Sequence, residues 1–238
     1  MNNLFRVAPA VSVLLIINIL MFIITWFAES QGIYLNFRLG LYYFDSPEFS
    51  IYQVLTHLFM HGSLMHIVFN MFALLTFGSQ LEMLWGSKRL LIFYAVTGLG
   101  AALLHQGVQA FEIYQVIGSI TPGSDLGLQP GYQFAGTLSL LNDKYFAPII
   151  GASGAIFGLL LAFGVLFPNA KLFLIFLPIP IKAKFIIPVL ILIELFLGVQ
   201  NFSIDNIAHF AHLGGALFGF ILVKIWLRQE RAKPSNEI

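Results

Sequence analysis

The chain has 238 residues, of which 58% are hydrophobic and 10% are charged, and its formal net charge is +1. Soluble domains typically carry about 25% charged residues, so this composition argues against a water-soluble globular protein and favours one that lipid solvates. The near-zero net charge gives no sign of a nucleic-acid partner, and the lack of cysteine excludes disulfides, thiolate nucleophiles and cysteine-based zinc sites.

Six apolar segments follow one another along the chain, and a helix that crosses a hydrocarbon core about 30 Å thick needs roughly 20 residues. The predicted spans are residues 10–28, 60–84, 90–108, 148–167, 185–199 and 207–227. They leave no room for a second folded domain, so we expect a single all-α membrane domain over residues 1–238. The first segment has small residues at signal-peptidase spacing, but it exceeds the about 7–15 apolar residues of a signal peptide, so we expect it to be retained.

The connections between spans differ in character. Residues 29–59 are rich in aromatic side chains, which suit the membrane–water interface. Residues 109–147 are polar and glycine-rich, which predicts an aqueous outer loop. The segment from Lys171 to Lys184 contains prolines and an apolar run too short to cross the bilayer, so we expect it to turn back at the surface.

Lysine and arginine are distributed unequally between the two sides of the predicted bundle. If the N-terminus is inside, ten of the 12 fall on the inner side, and only Arg38 and Lys144 fall on the outer side. The inner ten are Arg6, Lys88, Arg89, Lys171, Lys182, Lys184, Lys224, Arg228, Arg231 and Lys233. The positive-inside rule therefore predicts that both termini are cytoplasmic.

Polar side chains within spans are candidates for function because lipid solvates them poorly. His66, Ser153 and His212 each lie about five or six residues inside the outer start of their span. At 1.5 Å per residue this places all three roughly 8–9 Å below the outer surface. Asn70 lies one helical turn beyond His66 on the same face. The four side chains are therefore expected to meet in one pocket.

Two pairs of glycines support a close approach of the helices that carry these residues. Gly154 with Gly158, and Gly215 with Gly219, have the GxxxG spacing that lets membrane helices pack backbone to backbone. Because the pairs follow Ser153 and His212 directly, this packing would bring the hydroxyl and the imidazole together.

A serine beside an imidazole can perform nucleophilic catalysis, because the imidazole removes the hydroxyl proton during attack. We expect His212 to act as the general base for Ser153. His66, Asn70 and the Ser153 amide would stabilise the oxyanion. No aspartate or glutamate is expected at the same distance below the outer surface as these residues, so the sequence favours a dyad over a triad.

Other interpretations of the polar residues stay open. His57 with His61 and His209 with His212 have spacings that a metal site could use, although no HExxH motif accompanies them. His57, His61 and His105 suit interfacial or structural roles, and His209 could line the same pocket as His212. Glu194 could relay protons or could be a protonated carboxyl bonded to a neighbouring helix.

Three segments resemble the signature segments of the rhomboid family of intramembrane serine proteases. They are residues 61–71 (HGSLMHIVFNM), residues 151–158 (GASGAIFG) and residues 211–216 (AHLGGA), in the family's order and spacing. The resemblance implies a six-helix bundle with a Ser153–His212 dyad in a wet cavity at the outer face. It assigns His66 and Asn70 to the oxyanion, and it places Phe157 where some members stack a tyrosine on the base.

The resemblance also implies the function. We expect a serine endopeptidase that needs no cofactor or metal and cleaves transmembrane segments of membrane proteins near the outer face, in a bacterial inner membrane. The expected partners are transmembrane substrates and the lipid bilayer. One alternative is a non-catalytic member of the fold that binds transmembrane clients. The other is a small proton-coupled transporter, although the internal repeat typical of transporters is not evident.

Overall fold

The computed structural model describes residues 6–121, 128, 136–174, 177–200 and 208–232. In chain order the elements are α1 (Pro9–Ser30), α2 (Leu35–Leu39), α3 (Gln53–Thr56), α4 (Leu64–Trp85), α5 (Ser87–Ile117), α6 (Thr137–Phe146), α7 (Ser153–Leu166), β1 (Lys171–Leu174), β2 (Leu177–Lys182), α8 (Ala183–Gln200) and α9 (His209–Ala232). A 3₁₀ turn, His57–Phe59, follows α3, and α4 contains a π-helical turn at Leu74–Gly78.

The bundle contains the six apolar helices that the sequence predicts. Within the described residues, α1, α4, α5, α8 and α9 are long and apolar enough to cross a membrane, and α7 is a shorter apolar helix of 14 residues. Many large apolar side chains on these helices are exposed, among them Trp26 at 71% and Leu103 at 65%. Such surfaces suit lipid, so the all-α membrane fold is confirmed.

Two connections have more regular structure than the sequence analysis specifies. Helix α5 continues to Ile117, well into the predicted outer loop, and ends where Gly118 adopts a left-handed conformation with φ of 71°. Helix α6 occupies a further part of that loop, while residues 122–127 and 129–135 lie outside the described residues. The predicted surface turn between the fourth and fifth spans is an antiparallel hairpin of β1 with β2, which pairs Lys171 with Lys182.

The helices that carry the candidate site begin later than predicted. Helix α4 begins at Leu64 rather than at residue 60, because the Ser63 side chain caps it by accepting a hydrogen bond from the His66 amide at 3.1 Å. Helix α7 begins at Ser153 rather than at residue 148. Ser153 is thus the first residue of its helix, and the prediction that it lies five residues inside the helix is wrong.

The segment before α7 is extended because neighbouring loops bind its backbone. Ile149 and Leu41 exchange two backbone hydrogen bonds of 2.9 Å, which hold this stretch as a short bridge. Gly151 then adopts a φ of 126°, a conformation that side chains disfavour. The chain therefore enters the bundle as a strand-like segment and turns sharply into α7 at Ser153.

Helix α9 packs closely on α7 through the predicted glycine pairs. A methyl group on Gly215 would lie 1.8 Å from the Gly154 carbonyl oxygen, and one on Gly219 would lie 2.9 Å from the Gly158 Cα. The other side of α7 packs on α5, where a methyl group on Gly158 would meet Thr97 at 2.5 Å. These contacts confirm backbone-to-backbone packing, and they fix the first turns of α7 and α9 beside each other.

Candidate active site

Ser153 and His212 are brought together at the start of α7 and α9. The Ser153 Oγ and the His212 Nε2 lie 2.8 Å apart, within hydrogen-bond distance. The glycine contacts below them hold the two backbones in van der Waals contact, so the short distance follows from helix packing. A hydroxyl in this relation to an imidazole is the arrangement that nucleophilic catalysis requires.

The backbone at Ser153 is placed by the extended segment that precedes it. The Gly151 amide donates a hydrogen bond of 2.8 Å to the His57 carbonyl, which ties this segment to the 3₁₀ turn. As the first residue of α7, Ser153 contributes one of the amide groups that a helix leaves without an intrahelical acceptor. The helix dipole adds partial positive charge there, so the position suits a developing anion.

His66 lies directly beside this turn. A methyl group on Gly151 would come within 2.8 Å of the His66 Nε2 and 3.6 Å of the Ser153 Oγ. The space that the missing side chain leaves therefore lies between the His66 imidazole and the Ser153 hydroxyl. Any side chain at Gly151 would fill that space. The structure thus places His66 near the candidate nucleophile, as the sequence predicts.

Asn70 lies one turn beyond His66 on α4 and is 6% exposed. Its Nδ2 is buried and has no hydrogen-bond partner within the part of the chain that the structure describes. A buried amide donor without an acceptor is energetically unfavourable, and such groups in native structures often have a functional explanation. Asn70 therefore keeps a donor available on the face of α4 that carries His66.

The His212 ring is held on its face by an aromatic neighbour. The Phe157 ring stacks on it with 4.3 Å between ring centroids and 6° between the planes. Phe157 lies one turn after Ser153 on α7, so one helix supplies both the hydroxyl and the stacking partner. An aromatic ring therefore stacks on His212 at the position that the resemblance implies, with a phenylalanine in place of a tyrosine.

A carboxylate also reaches this site, contrary to the sequence prediction. The Glu194 Oε2 on α8 lies 2.9 Å from the His212 Nδ1 and 2.7 Å from the His209 Nδ1. The expectation that no carboxylate matches the depth of Ser153 and His212 is wrong. Helix α8 runs opposite to α7 and α9, so Glu194, six residues before the end of α8 at Gln200, reaches the level of the first turn of α9.

The same three side chains are the ones that could share a cation. Among the described residues, Glu194, His209 and His212 offer ligand atoms that all lie within 4.8 Å of one another. Two of the histidines whose spacing suits a metal site therefore lie beside a carboxylate. In the structure the three are joined instead by hydrogen bonds to one carboxylate oxygen.

His57 and His61 lie outside the membrane-spanning helices and are buried. The His57 Nδ1 is 2.8 Å from the Gln53 carbonyl oxygen, so this side chain stabilises its own turn. Burial lowers the pKa of His57 to about 4. Burial, with a smaller effect of the nearby His66, lowers the pKa of His61 to about 4.

A cavity of about 360 Å³ adjoins His61 between the outer end of α1 and the start of α4. Polar atoms at its wall lack hydrogen-bond partners among the described residues, namely the Thr25 Oγ1, the Asn36 Oδ1 and both ring nitrogens of His61. The His61 ring in turn contacts the His66 ring, with centroids 5.0 Å apart. A cavity of this size with polar groups in its wall can hold several water molecules near the candidate site.

The sequence matches a family model. The model described as the rhomboid domain covers residues 48–229, which include α4, α5, α7, α8 and α9 apart from the last turn. The match therefore contains every helix that contributes a side chain to the site.

Individual proteins are also similar to this chain. Rhomboid-like protein 15 of Arabidopsis thaliana is 32% identical over 72% of the chain and 36% of its own length. The Bacillus subtilis rhomboid protease GluP is 31% identical over 71% of the chain and 25% of its length. The human mitochondrial presenilin-associated rhomboid-like protein is 28% identical over 72% of the chain and 38% of its length. The alignments thus span well under half of each relative.

Proposed function

This chain belongs to the rhomboid family, and from that premise we propose that it is an intramembrane serine endopeptidase. It is an integral, multi-pass membrane protein, so its substrates are transmembrane segments of other membrane proteins. The observation that carries the proposal is the 2.8 Å distance between the Ser153 Oγ and the His212 Nε2 inside a lipid-facing bundle. The similar Bacillus subtilis protein is named a protease, which agrees with this activity.

The proposed reaction proceeds in two steps. The Ser153 Oγ attacks the substrate carbonyl carbon while the His212 Nε2 takes its proton, and the tetrahedral intermediate places its negative charge on the former carbonyl oxygen. His212 then gives the proton to the leaving amine, which releases one product and leaves an acyl-enzyme. Water attacks this ester with His212 as base, and the second product leaves as a carboxylic acid while Ser153 regains its proton.

Three donors are positioned to stabilise the oxyanion in this proposal. The Ser153 amide lies at the positive end of the α7 dipole, the His66 ring lies beside Gly151, and Asn70 follows His66 by one turn on the same face of α4. Donors that are fixed in a site with little water stabilise an anion more strongly than the same donors in solution. The unpaired Nδ2 of Asn70 supports its assignment, because an oxyanion would supply the missing acceptor.

The membrane orientation belongs to the proposal as well. The excess of lysine and arginine on the side of the N-terminus supports cytoplasmic termini and an active site that opens towards the outer face. The substrate helix would then enter laterally and unwind near that face. Relatives named as mitochondrial match the chain alongside a bacterial one, so a bacterial inner membrane stays a prediction.

The proposal is tested with purified protein in lipid vesicles that contain single-span substrates with small or helix-breaking residues near the outer boundary. We expect the wild type to cleave such substrates and Ser153→Ala to leave them intact. Equal cleavage by both proteins would contradict the proposal. Binding of the substrates without Ser153-dependent cleavage would instead support a non-catalytic protein that recognises transmembrane clients.

A further inference from the structure

We propose that Glu194 is the third member of a Ser–His–carboxylate arrangement, acting as a positioning residue that fixes the orientation and tautomer of His212. The inference rests on the proposed function and adds a residue to its machinery. The three side chains form a chain of hydrogen bonds. The Glu194 Oε2 lies 2.9 Å from the His212 Nδ1, and the His212 Nε2 lies 2.8 Å from the Ser153 Oγ.

This chain of hydrogen bonds determines which ring nitrogen of His212 carries the proton. An ionised carboxylate can only accept hydrogen bonds, so the Nδ1 that faces Glu194 must be the N–H of a neutral imidazole. The Nε2 is then left with a lone pair, which points at the Ser153 hydroxyl. This is the tautomer that a general base needs, and the opposite tautomer would present an N–H that cannot take the proton.

His209 supplies the second donor that keeps Glu194 in place. Its Nδ1 lies 2.7 Å from the same carboxylate oxygen, and both distances are in the range of charge-assisted hydrogen bonds. His209 and His212 lie one turn apart on the same face of α9, so both imidazole rings can donate a hydrogen bond to the Glu194 carboxylate. The Glu194 side chain is 15% exposed, and two N–H donors offset much of the desolvation of a charge at that depth.

The backbone of α8 is adapted to this contact. Gly198 lies one turn after Glu194, and a methyl group there would be 3.2 Å from the His209 Cβ. The missing side chain lets α8 approach α9 at the level of the three polar residues. Elsewhere α8 is largely lipid-facing, with Leu192 at 63% and Phe196 at 57% exposure, whereas Glu194 is directed towards His209 and His212.

Phe157 and Glu194 restrain the same imidazole in different ways. The Phe157 ring covers the face of His212, with 4.3 Å between the ring centroids, and this stacking is equally compatible with an imidazole flipped by half a turn about χ2, which keeps the same ring plane. The contacts of Glu194 and Ser153 with the two ring nitrogens select one of these two orientations. Removal of the carboxylate should therefore impair the chemical step more than it impairs folding or substrate binding.

The test compares Glu194→Gln and Glu194→Asp with the wild type in vesicles. Because an amide can donate to the Nδ1 and stabilise the wrong tautomer, we expect Glu194→Gln to lower kcat by about 10²–10⁴-fold with KM little changed. The rate of fluorophosphonate labelling of Ser153 should fall in parallel. Glu194→Asp keeps the charge and should recover a large part of the lost rate.

Glu82→Gln is the matched control. Glu82 is a buried carboxylate that lies far from the site, and it accepts hydrogen bonds of 2.8 Å from the Ala10 and Val11 amides. It should lower the melting temperature and leave kcat per folded molecule unchanged. Wild-type kcat in Glu194→Gln, or equal losses in the Gln and Asp variants, would overturn the inference. Loss of wild-type activity on addition of EDTA would also overturn it, because the three residues would then act through a cation.

These outcomes separate this inference from the proposed function. Ser153-dependent cleavage at the wild-type rate in Glu194→Gln would remove Glu194 from the machinery and leave the protease assignment intact. Cleavage that is insensitive to Ser153→Ala would reject the protease assignment itself.

Discussion

At the level of single residues, the proposed oxyanion donors are the part of the candidate site that substitution probes most cleanly. The Asn70 Nδ2 is buried without a partner among the described residues, so Asn70→Ala removes no hydrogen bond that the structure describes there. We expect cleavage to slow by about 10²-fold or more, which is the usual effect of removing one such donor. A steady-state assay with melting curves for both proteins measures this, and an unchanged rate would remove Asn70 from the site.

The buried histidines outside the spans give the protein a specific acid sensitivity. The pKa of His57 and that of His61 are each lowered to about 4, whereas an unperturbed histidine has a pKa near 6.5. Between these values the unfolded chain binds more protons than the folded one. Stability is therefore full above about pH 6.5 and falls as the pH decreases towards 4, by up to about 3 kcal/mol for each histidine.

The His61→Phe variant tests this acid sensitivity, because the His61 ring nitrogens have no partner among the described residues. The acid-induced loss of stability, measured in detergent by circular dichroism at pH 7.5 and 4.5, should be smaller in this variant than in the wild type. An acid response identical to that of the wild type would show that His61 does not titrate in this range.

At the level of elements, the contact between α7 and α9 determines whether hydroxyl and imidazole meet. A methyl group on Gly215 would lie 1.8 Å from a backbone oxygen of α7, and backbone cannot move aside as a flexible side chain can. We expect Gly215→Ala to destabilise the protein by about 1–3 kcal/mol, as overpacking does, and to reduce activity further by separating Ser153 from His212.

Gly107→Ala is the control for this prediction. Gly107 lies within α5, and a methyl group there would meet nothing within 4 Å. Alanine favours a helix by about 0.5–1 kcal/mol over glycine, so this variant should be as stable as the wild type or more stable. Equal melting temperatures for the two variants would contradict the close packing of α7 on α9.

At the level of the whole molecule, the distribution of lysine and arginine predicts the orientation in the membrane. Because the chain contains no cysteine, single cysteines can be introduced without a background. In intact cells a membrane-impermeant maleimide should label Tyr34→Cys, at an exposed position between α1 and α2, and should not label Lys88→Cys at the opposite end of the bundle. The opposite pattern would invert the proposed topology.

Much of the architecture could be predicted from the sequence because lipid imposes simple rules. Apolar segments of about 20 residues located the spans, and glycine spacing located the contact of α7 with α9. The later start of α7 was missed, because it depends on the backbone pairing of Ile149 with Leu41, a contact between distant segments. The helical continuation of α5 to Ile117 does not follow from composition, because polar residues such as those after residue 108 are typical of loops as well as of exposed helix ends.

Glu194 was missed for a different reason. A count from the outer start of a span gives depth only for spans that run inward, and α8 runs outward. The same count made backwards from the outer end of the predicted fifth span, at residue 199, gives five residues for Glu194, which equals the depth assigned to Ser153 and His212. The depth of Glu194 can therefore be predicted from the sequence. That His209 and His212 share one of its carboxylate oxygens can be seen only in the structure.

The central claim is that His212 activates Ser153 for nucleophilic attack, and covalent labelling with a fluorophosphonate measures it most directly. The wild type in detergent should be labelled at Ser153, whereas Ser153→Ala and His212→Ala should not be labelled although they melt as folded proteins. Equal labelling of all three would contradict the account. So would an unlabelled wild type that still cleaves a transmembrane substrate.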